Sequence, residues 1–485
     1  MSSPELAIAA TGAANLASVE AMCARAGVRP LITDDPDVFY RAPKALLPGV
    51  GAFGAAMTRL RASGLDKALA ARVAKGLPTM GICLGMQMFF DSSEETQGVA
   101  GIGALPGAVG RFGPALPLPQ LGWNRVVPAA GDRFLRPGWA YFANSYRVSK
   151  APAGYAEARC DYGESFAAAI EGRFDPETGI PAILLCQFHP ELSGSWGLDL
   201  FERWMGLPGI PAAREEGASV QSGFAPRASL SRGTATRVIP CLDIKGGRVV
   251  KGVRFENLVD SGDPAALAAR YEAEGADEIA LLDISATLEE RKTALEAVAA
   301  VRKAVSIPIS VGGGVRGVED AARLLNAGAD RVAANSAAVR DPGLVSALAE
   351  RFGVQCVIVA IDARRLPGTE PRWEVVIEAG KTKTGLDAVE WARRCAALGA
   401  GEILLTSIDR DGTGLGYDAE LVSAVSAAAP IPVVASGGAT KPQHFLDGVA
   451  AGAGAVLGAG AFHRGELAIA DVKRYLSERG VEVRL

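Results

Sequence analysis

The second half of this chain is written twice. GADEIALLDIS at residues 276–286 resembles GAGEILLTSID at 399–409, and IPISVGGG at 307–314 resembles IPVVASGG at 431–438. NAGADRVAANS at 326–336 likewise matches AAGAGAVLGAG at 450–460, so three matches run in one order at an offset near 124 residues. Repetition at a fixed period marks a fold assembled from equivalent units. The full set of apolar runs is RVIPCLDI, EIALLDIS, IPISVGGG, RVAANS, CVIVAID, EILLTSID, IPVVASGG and AVLGAG. Each is followed by an Ala/Leu-rich amphipathic or loop segment, the pattern of parallel βα units. Eight such units in two copies of four predict a closed (β/α)8 TIM barrel with a half-barrel repeat, over residues 237–485.

The first 205 residues read differently. The runs ELAIAA, ALLPGVGAFG, LPTMGICLGMQMFF and AILLCQFHPE, with several strand-like pieces between them, predict a separate α/β domain with a mixed sheet over 1–205. Between the two lies GLPGIPAAREEGASVQSGFAPRASLSRGTAT, residues 206–236. It has no periodicity and is rich in Gly, Pro, Ser and Ala, so it reads as a linker with a root-mean-square span of roughly 30 Å.

Composition excludes several classes of partner. A net charge of −4 supplies no attraction for nucleic acid or an anionic membrane. No apolar run is long enough to span a bilayer, and MSSPELAIAATG has no secretory signal pattern. Seven cysteines, an odd number without CxxC pairs, argue against a disulfide framework or a zinc site. The expectation is a cytoplasmic protein with neither metal nor cofactor.

Two motifs in the first domain carry chemistry. LPTMGICLGMQ places Cys83 after an apolar run, inside G-x-C-x-G, and before a helical stretch. That is the cysteine form of a nucleophile elbow, with glycines that let backbone approach a substrate closely and a helix N-terminus that favours thiolate. QFHPE then brings His189 and Glu191 directly after AILLCQF. Cys83, His189 and Glu191 are the residue types of an acyl-transfer triad: nucleophile, base and the group that holds the base.

GICLGMQ and FHPE resemble the class I (triad) glutamine amidotransferase family. The resemblance implies that Cys83 attacks the carboxamide of glutamine and releases ammonia. It also implies that PGVGAFG (48–54) is the oxyanion segment, with backbone N–H groups around Gly49 to Gly51, and that Gln87 helps hold glutamine.

In a parallel barrel the chemistry sits at the C-terminal ends of the strands. Asp243 of IPCLDIK and Asp362 of VIVAIDAR fall there on the first and fifth strands, equivalent positions in the repeat. Such a pair can act as general acid and base. Small, Gly-rich turns follow strands three, four, seven and eight: 312–314, 333–336, 436–438 and 458–462. They bring Gly313, Gly314, Asn335, Ser336, Gly437, Gly438, Gly458 and Gly460 to one mouth. Backbone N–H groups in such turns bind phosphate. Because the turns come in duplicate, a long bis-phosphate is expected.

CLDIKGGRVVKGVRFENLVDSGDP, LLTSIDRDGT and VAIDA are similar to the cyclase subunit of the imidazole glycerol phosphate synthase family, across essentially all of 237–485. The preceding domain resembles that family's glutaminase. The fold class implied is an amidotransferase-like α/β domain fused to the barrel, with glutamine and a bis-phosphate ribonucleotide as substrates and an intramolecular domain interface in place of a separate subunit. By the same resemblance Thr406, Asp411 and Gly412 bind substrate, and Lys251 lies in a loop after strand one that closes over it. Arg237, Glu278, Arg331 and Glu402 match the charged ring that gates an ammonia passage along the barrel axis. The chain departs from the family's pattern at Ala10, Asn144, Leu192 and Arg331, positions tied to coupling between the two sites. Two other readings are a related bis-phosphate isomerase barrel, which needs no ammonia, and a degenerate scaffold, which would have lost key groups that are present here.

Overall fold

The computed structural model describes residues 5–11, 16–114, 116–129, 134–207, 233–253, 256–284 and 288–485; for 251–253, 256–259 and 288–292 it describes the backbone alone. Two compact units result, Met1–Ala115 with Asn124–Ala225, and Leu116–Trp123 with Pro226–Leu485. The expected linker lies outside the described residues over 208–232.

The N-terminal unit is built on a mixed sheet. Leu31–Thr33, Leu6–Ala9, Lys44–Leu47, Thr79–Ile82 and Pro181–Cys186 run parallel in that spatial order, and Ser165–Phe174 and Ala156–Asp161 continue the sheet antiparallel. The parallel strands are short and almost wholly apolar because helices cover both faces. Their carboxyl ends point the loops at Leu47 and Ile82 toward one edge, where the nucleophile motif sits. Below them Phe39, Phe53, Leu60, Leu69, Phe89 and Leu185 form the core.

All eight expected runs of the second unit are strands. Arg237–Lys245, Ile279–Asp283, Ile309–Gly312, Arg331–Ala334, Val357–Arg365, Glu402–Ser407, Val433–Ser436 and Ala455–Gly458 pair in sequence, each parallel to the next. The last closes on the first, with Arg237 opposite Ala455.

Side chains alternate faces along a strand, and this sorts the barrel interior into three strata. Arg237, Ile239, Cys241 and Asp243 share one face of the first strand. The lowest stratum is ionic. Arg237 bonds to both Glu278 and Glu402, and Arg331 reaches Glu278 at 3.3 Å and Glu402 at 2.6 Å. The middle stratum is apolar: Ile239, Cys241, Ala280, Ala333, Ile358, Leu404 and Leu457 pack as one cluster. The highest stratum, which lines a cavity at the strands' C-terminal ends, holds Asp243, Asn335, Asp362 and Thr406.

The four ring residues are each no more than 2% exposed. Burial opposes the Glu278 carboxylate, but Arg237, Arg331 and the Ser310 hydroxyl outweigh it and hold its pKa below the ordinary value. The two arginines and two glutamates balance, and each arginine touches both glutamates.

Two features depart from a plain barrel. Strands one and five each run on into an antiparallel ribbon, Arg248–Val253 with Glu256–Gly262 and Trp373–Ile377 with Thr382–Asp387. The expected loop at Lys251 is therefore strand, its backbone paired with Val259; the Lys251 side chain lies outside the described residues. The ribbon after strand five is anchored by Trp373, whose Nε1 donates to Asp418 at 3.0 Å while Asp418 caps the helix Ala419–Ala428.

Removing one carboxylate from the ring leaves two buried guanidinium groups sharing one counter-ion, Glu278. Glu402→Gln should lower barrel stability by about 3 kcal/mol, read as a drop in the urea midpoint. Adding Arg331→Met restores neutrality and should recover at least half of that loss. A double variant no more stable than Glu402→Gln alone would show that charge balance is not what holds the ring.

Candidate active sites

The first site forms where the strand Thr79–Ile82 turns into the short helix Leu84–Gln87. Cys83, at the turn, has φ 51° and ψ −111°, a region that non-glycine residues avoid. Strain of this kind persists only where the surroundings over-determine it. Here the Cys83 N–H donates to the Cys186 carbonyl at 2.6 Å, and the 47–49 segment is pressed against the turn. A Cβ on Gly85 would lie 2.1 Å from the Leu47 carbonyl oxygen, and one on Gly49 would lie 2.0 Å from the Gly85 nitrogen. The glycine after the nucleophile thus admits a neighbouring loop of the protein, not a substrate as the sequence reading supposed.

His189 and Glu191 reach the same place from the end of Pro181–Cys186. His189 Nδ1 lies 2.8 Å from Glu191 Oε1, which leaves the other ring nitrogen for the cysteine. Burial alone would push the imidazole pKa down. The Cys83 sulfur, hydrogen-bonded to the ring, and the Glu191 carboxylate outweigh burial and raise it well above its ordinary value. Cys83, His189 and Glu191 are each 5% exposed. An imidazole so placed holds a proton beside the sulfur.

Gln87 is less free than expected. Its amide nitrogen donates to the Tyr146 carbonyl and to Gln187 Oε1, both at 3.0 Å, and Gln187 in turn approaches Cys83 Sγ at 3.6 Å. Gln87 braces the elbow, with its donors committed to the protein. Gly51, with φ 102°, and Gly49 lie in the segment that crosses the elbow. Glu95, which sequence reasoning passed over, accepts from the Phe53 N–H at 2.9 Å, and its pKa is raised by burial.

The second site is a cavity of about 710 Å³ at the C-terminal mouth of the barrel. Asp243 and Asp362 both line it. So do Gly313, Gly314, Asn335 and Ser336 from the first half, and Gly437, Gly438, Gly458 and Gly460 from the second. Thr406, Asp411 and Gly412 also line it, which completes the expected set apart from Lys251, whose side chain lies outside the described residues. Gly313 is required by packing, since a Cβ there would lie 2.0 Å from the Asp283 carbonyl oxygen.

Asp362 is a perturbed carboxylate at the mouth. Burial pushes its pKa up; Asn335 Nδ2, donating at 2.9 Å, opposes this, and the Asp411 charge adds to it, for a value of about 6. A carboxyl poised there exchanges protons near neutrality.

Residues 43–203 match the class-I glutamine amidotransferase family, and residues 237–468 match the histidine biosynthesis protein family. The chain has the architecture of a fused glutaminase–cyclase imidazole glycerol phosphate synthase. Its amidotransferase unit contains the whole Cys83–His189–Glu191 arrangement, and its histidine-biosynthesis barrel contains both aspartates and all four small-residue turns. No helix among the described residues is long and apolar enough to cross a membrane.

Sequence reasoning missed Lys245, Arg316, Arg340 and Arg464, cations that line the barrel cavity of this synthase architecture. One signal was available. The offset near 124 residues that aligns the Gly-rich turns also aligns Arg340 with Arg464.

Asp362 links the site to stability. Its folded pKa lies above the usual carboxylate value, so its stabilising contribution is complete below about pH 4 and is lost as pH rises through about 6. Asp362→Asn cannot ionise and should be more stable than the natural chain at pH 8, by on the order of 3 kcal/mol, with little difference at pH 3.5. Thermal denaturation at the two pH values checks this; a gap that does not widen with pH contradicts a raised pKa.

Proposed function

We propose that this chain is a glutamine-dependent imidazole glycerol phosphate synthase of histidine biosynthesis. The observation that carries the reading is that one polypeptide holds both a Cys–His–Glu arrangement around a strained elbow and a barrel mouth with paired aspartates and duplicated Gly-rich turns.

At the first site Cys83 attacks the side-chain carboxamide carbon of glutamine. Backbone N–H groups of the Gly49–Gly51 segment stabilise the oxyanion. His189 gives its proton to the departing nitrogen, and ammonia leaves a glutamyl thioester. His189 then draws a proton from water, whose attack releases glutamate and restores the thiol. Glu191 holds the imidazole in the required orientation throughout. Gln87 positions Gln187 and the elbow.

At the second site the substrate is N′-[(5′-phosphoribulosyl)formimino]-5-aminoimidazole-4-carboxamide ribonucleotide, with one phosphoryl group at each half-barrel's turns. Asp362 acts as the acid and Asp243 as the base while ammonia is incorporated. Imidazole glycerol phosphate and aminoimidazole carboxamide ribotide are the products.

The stratified barrel interior supports a route for ammonia between the two chemistries. Neutral ammonia crosses an apolar layer far more easily than ammonium does, and the layer formed by Ile239, Ala280, Ala333 and Leu404 separates the ring from the mouth. In this reading the Arg237–Glu278–Arg331–Glu402 ring is the gate below it.

The division of labour is testable directly. Cys83→Ala should abolish glutamine-dependent turnover, by at least a thousandfold, while turnover with added ammonium salt persists. Asp243→Asn should abolish both. Equal loss of both activities in Cys83→Ala, or ammonium-dependent turnover surviving in Asp243→Asn, would overturn the assignment.

A further inference from the structure

The two arginines at the barrel mouth share a relationship that their separate surroundings do not suggest. Arg340 ends the short helix Ser336–Arg340, and Arg464 directly follows the short helix Gly460–His463. They are equivalent positions in the half-barrel repeat, and both line the cavity.

Each is also held by a carboxylate from outside the strand framework. Arg340 pairs with Glu378, at the tip of the ribbon formed by Trp373–Ile377 and Thr382–Asp387. Arg464 forms a two-point pair with Glu466, at 2.5 and 2.9 Å. Glu378 is tied down further: its N–H donates to Ser336 Oγ at 3.3 Å, and its Oε2 accepts from Thr382 at 2.7 Å. Its backbone, like that of Ala379, sits at positive φ, 57° and 55°. The ribbon tip therefore occupies two cavity-lining groups at once, the Ser336 hydroxyl and the Arg340 guanidinium.

These ion pairs are about half exposed, with side-chain exposures of 58% and 47% for Arg340–Glu378 and 53% and 52% for Arg464–Glu466. Exposed pairs contribute little to stability. They are also easily exchanged, and a guanidinium fork fits a phosphoryl group in the same two-point manner as a carboxylate.

We propose that Arg340 and Arg464 are the cationic arms for the two phosphoryl groups of the barrel's ligand, and that Glu378 and Glu466 are internal counter-ions which those groups displace. This rests on the bis-phosphate reading and adds the side chains that discriminate for charge at each end. On the Arg340 side, displacement of Glu378 also frees the ribbon tip from Ser336. One end of the ligand is thus coupled to movement of the ribbon, and the other is not.

Binding of inorganic phosphate to the full-length protein, followed by phosphorus NMR titration, tests the proposal without reference to turnover. The natural chain should bind two phosphates. Arg340→Gln and Arg464→Gln should each weaken one of them, about tenfold, leaving the other unchanged. Glu378→Gln and Glu466→Gln should each tighten one by several-fold, and circular dichroism should report the same fold in all four. Two unaltered phosphates in both arginine variants would overturn the proposal and leave the bis-phosphate reading standing. Unchanged affinity in both glutamate variants would overturn the exchange. No binding to the natural chain would overturn the bis-phosphate reading and this proposal with it.

Discussion

Everything in the barrel is referred to four buried side chains whose charges cancel. Arg237, Glu278, Arg331 and Glu402 close its lower end, each arginine touching both glutamates. Apolar residues of similar volume would fill this space at no desolvation cost, and such replacements often stabilise a protein. A polar plug therefore suggests a use other than stability. The ring also sets the register of the interior. With Arg237 facing in, alternation along the strand brings Ile239 and Cys241 into the apolar layer and Asp243 to the mouth. A slip of one residue would reverse every one of these positions.

The amidotransferase unit depends on a constraint of a different kind. Its nucleophile occupies a backbone conformation that is unfavourable alone, held because Gly49 and Gly85 permit two loops to interlock at van der Waals contact and closer than any side chain allows. The same turn brings Cys83 against a buried imidazole whose other nitrogen is fixed by Glu191. Nucleophile geometry and the placement of its base thus come from one local arrangement. Leu192, where the family's pattern has a charge, is buried.

Much of this was legible in the sequence, for identifiable reasons. The eight strands were readable because parallel strands buried on both faces are continuous apolar runs, and the repeat fixed their number. Cys83, His189 and Glu191 were readable because strand-to-turn transitions flank them. The ribbons after strands one and five were not: they are polar, paired outside the barrel, and give no core periodicity. Gly85 and Gly313 were recognised as important, and both also meet a packing requirement that sequence does not show, since neighbouring backbone fills the space a Cβ would take. Arg340 and Arg464 escaped notice because each lies a turn beyond its small-residue motif, where an arginine ordinarily signals a solvated helix end.

The central claim is that one chain moves nitrogen from glutamine to a product assembled at the barrel mouth. Turnover with amide-labelled ¹⁵N-glutamine in the presence of excess unlabelled ammonium tests it most directly, with mass spectrometry of the imidazole product as the readout. The account predicts that the product carries predominantly the glutamine label, because ammonia released at Cys83 travels inside the protein. A product whose label matches the diluted solvent pool would contradict an internal route, and a product carrying no new nitrogen would contradict the proposed chemistry itself.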